Sequence, residues 1–306
     1  MIISPPTTQA TLAAGSSRVV ADTCLPVKVF LGHVLSLVGK CDSIFIPAVR
    51  SVKNNVYNCS KFLGLPDMTK AVIPESPPIL DIDIDINKGK RRLYQNIFEL
   101  GRHFTWNPFK IRQASLAAWQ AYLNYQKLMS SHKLAPPEAV EGISGTLKPE
   151  RNASFSDSTS IQATIGLIGH PYLLYDEYIN HRFIHRLEQT GHKVLTPEML
   201  AKEELESAIA GLVGKAYWTY EEEIVGAGGH YLQNGADGVI GIMAFGCGPD
   251  SLMMDTVHRQ AARLRTIPFM SLTLEEHTAE AGVVTRLEAF TDMIHRKKRK
   301  RVEACV

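Results

Sequence analysis

Alternating apolar runs and helical repeats predict an α/β protein with mostly parallel sheet. Three observations carry that expectation. From Ile161 to His295 short apolar runs alternate with segments of helical spacing, a pattern that implies helices on both faces of a parallel sheet. Within it, Val239–Phe245 is an unbroken apolar run of strand length, as a strand buried on both faces requires. A Pro-, Gly-, Ser- and Glu-rich stretch after Lys133 then divides the chain into residues 1–134, a linker at 135–160, and residues 161–306 with a basic tail from about 295.

A chain of 306 residues is long enough for a substantial core in one domain or two. With 45% hydrophobic and 21% charged residues it has the composition of a globular protein, and its net charge of +2 argues against a general nucleic-acid binder. No apolar run reaches membrane-spanning length, and MIISPPTTQA lacks the basic and apolar regions of a secretory signal, so a cytoplasmic protein with no membrane partner is expected. Disulfides are not expected of its five cysteines in that compartment, which leaves metal or redox chemistry for a subset.

Along the first half, Ile2–Thr11 reads as the tail of a strand and a turn. Pro26 suits the first turn of a helix through Val27, Phe30, Leu31, Val34 and Leu35, which puts Cys24 near a helix N-terminus, where amide dipoles favour a thiolate. Cys41–Val49 reads as a short buried strand, and Cys59 lies in a turn-rich loop closed by Gly64 and Pro66. In Ile79–Ile86 strict alternation sets Asp81, Asp83 and Asp85 on one face of a strand, most simply a solvated face, with a divalent-cation site as the minor reading. Arg91–His132 reads as two helices broken around Trp106-Asn-Pro108, with Phe98, Phe104, Trp119 and Tyr122 as packing residues.

In the second half, strands are expected at Ile161–Gly169, Lys193–Leu195, Val239–Phe245 and Ile267–Leu274, and the last helix at Thr285–His295. Gly246, Gly248 and Pro249 bracket Cys247 at the end of the central strand, and Asp250 or Ser251 can cap the helix that follows. Strand, Gly-rich turn and helix is the arrangement in which open α/β sheets hold ligands. A buried cysteine in a tight turn is the plainer reading. His170, in Gly-His-Pro, and His277, in Glu-Glu-His-Thr, lie at strand ends, where each could be a general acid or base, a donor to a neighbouring ligand, or a loop-capping structural residue. Glu276 and Glu280 could position His277 or cap the next helix. Gly226-Ala-Gly-Gly229 does not follow a strand and marks no nucleotide site.

The blocks CLPVKVFLGHV (24–34), NCSKFLGLPDM (58–68), LIGHPYLLYD (167–176), LTPEML (195–200), FGCGPDSL (245–252) and LTLEEHTAEAGVVTRLEAF (272–290) resemble the acyl-CoA dehydratase activase-related proteins, kin of 2-hydroxyacyl-CoA dehydratase subunits such as those acting on 2-hydroxyglutaryl-CoA. The resemblance runs in the same order from about Ser4 to Ile294. It implies two Rossmann-like α/β domains with a 4Fe-4S cluster in the cleft between them, its cysteine blocks falling on Cys24, Cys59 and Cys247. Soft sulfur ligands suit iron–sulfur or zinc sites, and a cubane held by three cysteines keeps one iron open. Zinc in a three-cysteine site and unligated thiols are the alternatives. Cys41 reads as a small buried hydrophobe and Cys305 as a tail residue.

The activity implied is anaerobic, lyase-type dehydration of a 2-hydroxyacyl-CoA through a ketyl radical, after an ATP-hydrolysing activase delivers one electron. The implied partners are that activase, a homologous dehydratase subunit and an acyl-CoA. The alternative is a non-catalytic iron–sulfur module that relays electrons to, or regulates, an activase. Two departures from the relatives stand out. They begin with a further strand and helix ahead of the position of Met1, so either the start is mis-assigned or the N-terminal domain lacks a sheet element and has an exposed edge. Ala279 also stands where they carry glycine, which would be strained if that position needs positive φ.

Overall fold

The computed structural model describes residues 1–145 and 161–303, the side chains of 300–303 excepted. The chain is mixed α/β, and every ladder between its strands is parallel. It divides into two compact units, residues 1–124 with 216–219 and residues 125–215 with 220–306. Of the linker expected at 135–160, the first part holds helix α7 (Pro136–Ser144), while residues 146–160, like Cys305, lie outside the described residues.

Unit 1 begins in helix rather than strand. The Thr8 hydroxyl accepts the Thr11 N–H at 3.2 Å and caps α1 (Gln9–Ser16), so residues 1–8 form no strand. Helix α2 (Leu25–Leu37) starts at Cys24 with Pro26 in its first turn and buries Val27, Leu31 and Val34. Those side chains form the core of the unit with Ile44, Ile46 and Ile73.

The sheet of unit 1 is a parallel ribbon in four pieces. Strands β1 (Ile44–Phe45) and β2 (Ala48–Ser51) run beside β3 (Ile79–Leu80) and β4 (Asp83–Asp85), with α3 (Ser60–Leu63) and α4 (Leu65–Val72) between the two pairs. Pro47 separates β1 from β2 at no cost in pairing. The N–H groups of Ile44, Ile46 and Ala48 donate across the ribbon to Pro78, Leu80 and Ile82, so the proline falls where no cross-strand donor is needed.

The alternating aspartates are each satisfied from within the unit. Asp81 pairs with Lys70 at 3.1 Å, Asp85 accepts the Asn87 N–H at 3.0 Å, and Asp83 takes Arg50 at 2.6 Å and Lys88 at 2.8 Å. Burial opposes ionisation of Asp83, but Lys88 and Arg50 outweigh it and hold its carboxyl below the ordinary range.

Helices α5 (Lys90–Arg102) and α6 (Pro108–His132) break where the sequence indicates, around Trp106-Asn-Pro108. Their aromatic residues stay out of the core, contrary to expectation. Phe98, Phe104, Trp119 and Tyr122 are all exposed, Trp119 and Tyr122 meeting each other, and the helices bury only Asn96 on α5 and Ile111 on α6 among the described residues.

Unit 2 is built on a four-stranded sheet in the order β6-β5-β7-β8, comprising β5 (Ala163–Ile168), β6 (His192–Leu195), β7 (Gly238–Ala244) and β8 (Phe269–Leu274). The two central strands are the most apolar and are buried nearly throughout, as strands covered on both faces must be. The chain leaves β5 through α8 (Pro171–Leu174) and α9 (Phe183–Gln189), and β6 through α10 (Lys202–Leu212), a π-turn at Glu222–Gly226 and α11 (Ala227–Gln233). It leaves β7 through α12 (Gly248–Leu264) and β8 through α13 (Glu280–Glu303).

The basic run after His295 is therefore the end of a helix rather than a free tail. Lys298 pairs with Asp237 at 2.9 Å and donates to the Gln162 carbonyl at 3.1 Å. One turn earlier, His295 Nε2 meets the buried His192 Nε2 at 3.1 Å. Ala279 is not among the described residues with positive φ, so alanine there is unstrained.

Burial, and then His295, depress the pKa of His192 from 6.5, so the unfolded chain binds its proton more readily than the folded one. The stability tied to this group is full above about 6.5 and is lost as pH falls through the lower folded pKa. Denaturant titrations from pH 7 to 5 are expected to show His192→Phe losing less stability than the unaltered chain. Parallel losses would remove His192 from the acid response.

Candidate functional site

In unit 2 the strand order turns around β5: the chain passes from β5 outward to β6, then back across to β7 on the other side. Ligands in open parallel sheets bind at the carboxyl end of such a reversal, between the two strands whose connections depart in opposite directions. Here those strands are β5 and β7. Their carboxyl ends carry two of the blocks singled out in the sequence, Gly169-His170-Pro171 and Cys247-Gly-Pro-Asp250.

The turn after β5 needs Gly169, since a Cβ there would lie 2.6 Å from the Ile242 carbonyl oxygen of β7. The next residue, His170, is buried, and its Nδ1 meets Oδ1 of Asp250 on the first turn of α12. Asp250 is 0% exposed, and its other oxygen accepts the Ala244 N–H at 3.0 Å. The carboxylate is thus fixed by the end of β7 and fixes the imidazole at the end of β5. The two atoms are in contact without hydrogen-bond geometry, and a hydrogen on Nδ1 is what a carboxylate in that place would favour.

Two rings complete the surroundings. Tyr172 stacks on His170 at 4.9 Å between centroids, and Tyr220 meets it edge-on at 5.0 Å. Tyr220 has φ +70° and lies two residues before the π-turn at Glu222–Gly226, a distortion frequent at functional sites. Burial, then Glu223, push its hydroxyl up to about 12.

At the end of β6 lies a second acid. Glu198 accepts a hydrogen bond from the Tyr175 hydroxyl at 2.8 Å. Burial raises its pKa above 4.5 despite that bond, and burial, then Glu198 itself, raises that of Tyr175. The carboxyl ends of β5, β6 and β7 therefore present an oriented imidazole, a carboxyl that holds its proton to higher pH, and a cysteine.

The cysteines of the family-like blocks share a local geometry. Cys24, Cys59 and Cys247 are the N-cap residues of α2, α3 and α12, each in extended conformation with no capping bond from its side chain. Proline stands in the first turn of α2 and of α12. Cys41 differs: it follows the end of α2, and its sulfur donates to the Leu37 carbonyl at 3.5 Å. Cys24 is buried in the core of unit 1, Cys59 and Cys247 are half-buried, and none of the four forms a disulfide. Cys24 and Cys59 belong to unit 1 and Cys247 to unit 2. Among the described residues no three His, Cys, Asp or Glu side chains are grouped so as to hold a metal ion. The thiol set has the softness an iron–sulfur group requires.

His277 lies in the turn after β8 with its side chain 83% exposed and Glu276 at 4.0 Å. Glu280 opens α13 and pairs with Arg186 rather than with His277. Asp250 was legible only as a helix cap, Tyr175 and Glu198 fell within family-like blocks without being singled out, and Tyr220 carried no signal. The one clue to Asp250 was a carboxylate in the Gly-Pro turn of the central strand, and its partner follows from strand order alone.

A family described as "CoA enzyme activase uncharacterised domain" matches residues 1–200, about two thirds of the chain. The match takes in Cys24, Cys59, His170 and Glu198 and stops short of Cys247, Asp250 and His277. No curated protein matches the chain. Among the described residues no helix is long and apolar enough to cross a membrane.

Removing Asp250 leaves a buried imidazole without its partner. Asp250→Ala is expected to cost about 3–5 kcal/mol of unfolding free energy, as for other broken buried pairs, and Asp250→Asn less. Equal stability of Asp250→Ala and the unaltered chain in urea would show that the contact is not structural. Glu198 has the opposite sense from His192: its raised pKa gives a contribution that is full below 4.5 and lost as pH rises through the folded pKa. The gain in melting temperature of Glu198→Gln over the unaltered chain should therefore grow between pH 4.5 and 8. A constant difference would contradict the assignment.

Proposed function

The chain belongs to the family described as "CoA enzyme activase uncharacterised domain", and from that premise we propose that it takes part in activase-driven dehydration of an acyl-CoA as an iron–sulfur protein of the 2-hydroxyacyl-CoA dehydratase kind. The observation that carries the reading is local: the three cysteines of the blocks, and not Cys41, stand at helix N-caps. Thiolate is the form in which cysteine binds metal, and soft sulfur suits an iron–sulfur group. On this reading Cys24, Cys59 and Cys247 hold a 4Fe-4S group with one iron open. When bound, that group would supply a one-electron route to a thioester carbonyl.

The chain's own residues would handle protons and water. With a hydrogen on Nδ1, toward Asp250, Nε2 of His170 would accept a proton from the β-carbon, the neighbour of the carbon that carries the departing hydroxyl. Tyr172 and Tyr220 cover the ring and keep water from it. Glu198, protonated to a higher pH than an ordinary glutamate, is the group suited to give a proton to a departing hydroxyl. His277, exposed in its turn, has a lesser part here than His170.

The family description names the activase rather than the dehydratase, and that favours a second reading: an electron-relay or regulatory module in which no acyl-CoA is turned over. On either reading an ATP-hydrolysing activase is the partner, and a homologous dehydratase subunit joins it on the first.

Anaerobic purification with iron and sulfide analysis tests the shared claim. The unaltered chain and Cys41→Ser are expected to carry iron and sulfide, and Ser at position 24, 59 or 247 to lose most of both, since an alkoxide replaces thiolate poorly. A colourless, iron-free unaltered chain would sink both readings. Titration with a 2-hydroxyacyl-CoA then separates them. A spectral response abolished by His170→Ala with iron content unchanged supports catalysis, and no response supports the relay.

A further inference from the structure

Residues 88–132 hold eight lysines and arginines against one carboxylate, Glu99. That is a net +7 in a chain of net +2, which leaves −5 on all the rest. These residues form α5, its turn and α6, and the structure exposes their aromatic side chains: Phe104, Trp106 and Phe109 are 74%, 78% and 79% accessible at the corner between the helices. Farther along α6, Leu116, Trp119 and Leu123 are exposed at helical spacing. On α5 an open depression of about 720 Å³ is lined by Arg91, Arg92, Tyr94, Phe98 and Arg102.

The hairpin is a built element. Asn96 is buried and donates to the Asp83 carbonyl at 2.6 Å, which ties α5 to the ribbon of unit 1. Gly101 lets α6 cross close by, since a Cβ there would lie 2.6 Å from the Ile111 side chain. The Arg102 guanidinium lies 4.2 Å over the Trp106 ring, which holds both side chains in place. Rigid exposed aromatics beside arginines are the side chains that dominate protein–protein binding energy.

We propose that the α5–α6 hairpin is the docking face for a protein partner with a carboxylate-rich, apolar-centred surface, and that this partner is the ATP-hydrolysing activase; the identity of the partner rests on the function proposed above, whereas the face itself rests on exposure and charge. Like charge disfavours pairing of the face with a second copy of itself, at +7 against +7. A membrane-lying helix separates its apolar side from its cations, whereas here arginines and aromatic rings line one depression. That mixture matches a protein surface, where guanidinium forks take carboxylates bidentately and the rings fill the centre.

The test measures binding of the purified activase to the full chain by titration calorimetry at two salt concentrations. The unaltered chain is expected to bind, more weakly at high salt, and both Arg91→Glu with Arg92→Glu and Trp119→Ala to weaken binding at least tenfold while keeping the circular dichroism and melting temperature of the parent. Undiminished binding by both variants would place the contact elsewhere and overturn the docking face, with the partnership intact. Failure of the unaltered chain to bind any activase would overturn the partnership as well. Phosphatidylglycerol vesicles and a single-stranded oligonucleotide serve as parallel probes. Binding of either that the Arg91→Glu, Arg92→Glu variant loses, without activase binding, would assign the face to lipid or nucleic acid and overturn the proposal.

Discussion

The contact between His170 and Asp250 is the constraint on which the chemistry of unit 2 depends. A fully buried carboxylate needs partners, and Asp250 has the Ala244 N–H on one oxygen and the His170 ring against the other, in contact though not in hydrogen-bond geometry. That pairing joins the carboxyl ends of the two strands between which the sheet reverses direction. It holds the first turn of α12 against the turn after β5 and so fixes the position of Cys247, the N-cap of α12. Gly169 belongs to the same requirement, because any larger residue would push the imidazole away from the end of β7.

Much of this architecture was readable in the residues. Val239–Phe245 announced a strand covered on both faces, Pro26 and Pro249 marked helix starts behind cysteines, and Asn107-Pro108 marked the break between α5 and α6. What escaped depends on which strands are neighbours. Nothing local to His170 or Asp250 says that β5 and β7 lie side by side 70 residues apart, although that adjacency turns a helix cap into a histidine's partner. The aromatics of α5 and α6 misled for a related reason. Helical spacing of Phe, Trp and Tyr looks the same whether the face meets the chain's own core or another molecule. Conversely, strict alternation at Asp81, Asp83 and Asp85 suggested a possible cation site only because the lysines and arginine that neutralise those carboxylates come from other elements.

The two units solve different problems. Unit 1 has a two-strand ribbon and a small aliphatic core, and its α5 and the part of α6 up to Asn124 form an exposed, cationic, aromatic surface. Unit 2 has the larger sheet and collects its polar chemistry at one edge, where burial rather than ion pairing sets the proton affinities of Glu198, Tyr175 and Tyr220. One unit thus carries the surface suited to recognition, and the other the groups suited to proton transfer. The cysteines are shared between them, with Cys24 and Cys59 in the first and Cys247 in the second.

The role proposed for His170 requires its hydrogen on Nδ1, toward Asp250, and an unprotonated Nε2. Nitrogen-15 spectra of the histidine-labelled chain at neutral pH, with His170 assigned by substitution, test that directly. The account predicts protonation at Nδ1, a tautomer lost in Asp250→Asn, and a shift of the His170 Nε2 resonance when a 2-hydroxyacyl-CoA is added. An Nε2–H tautomer in the unaltered chain, or a His170 signal indifferent to both the substitution and the thioester, would contradict it.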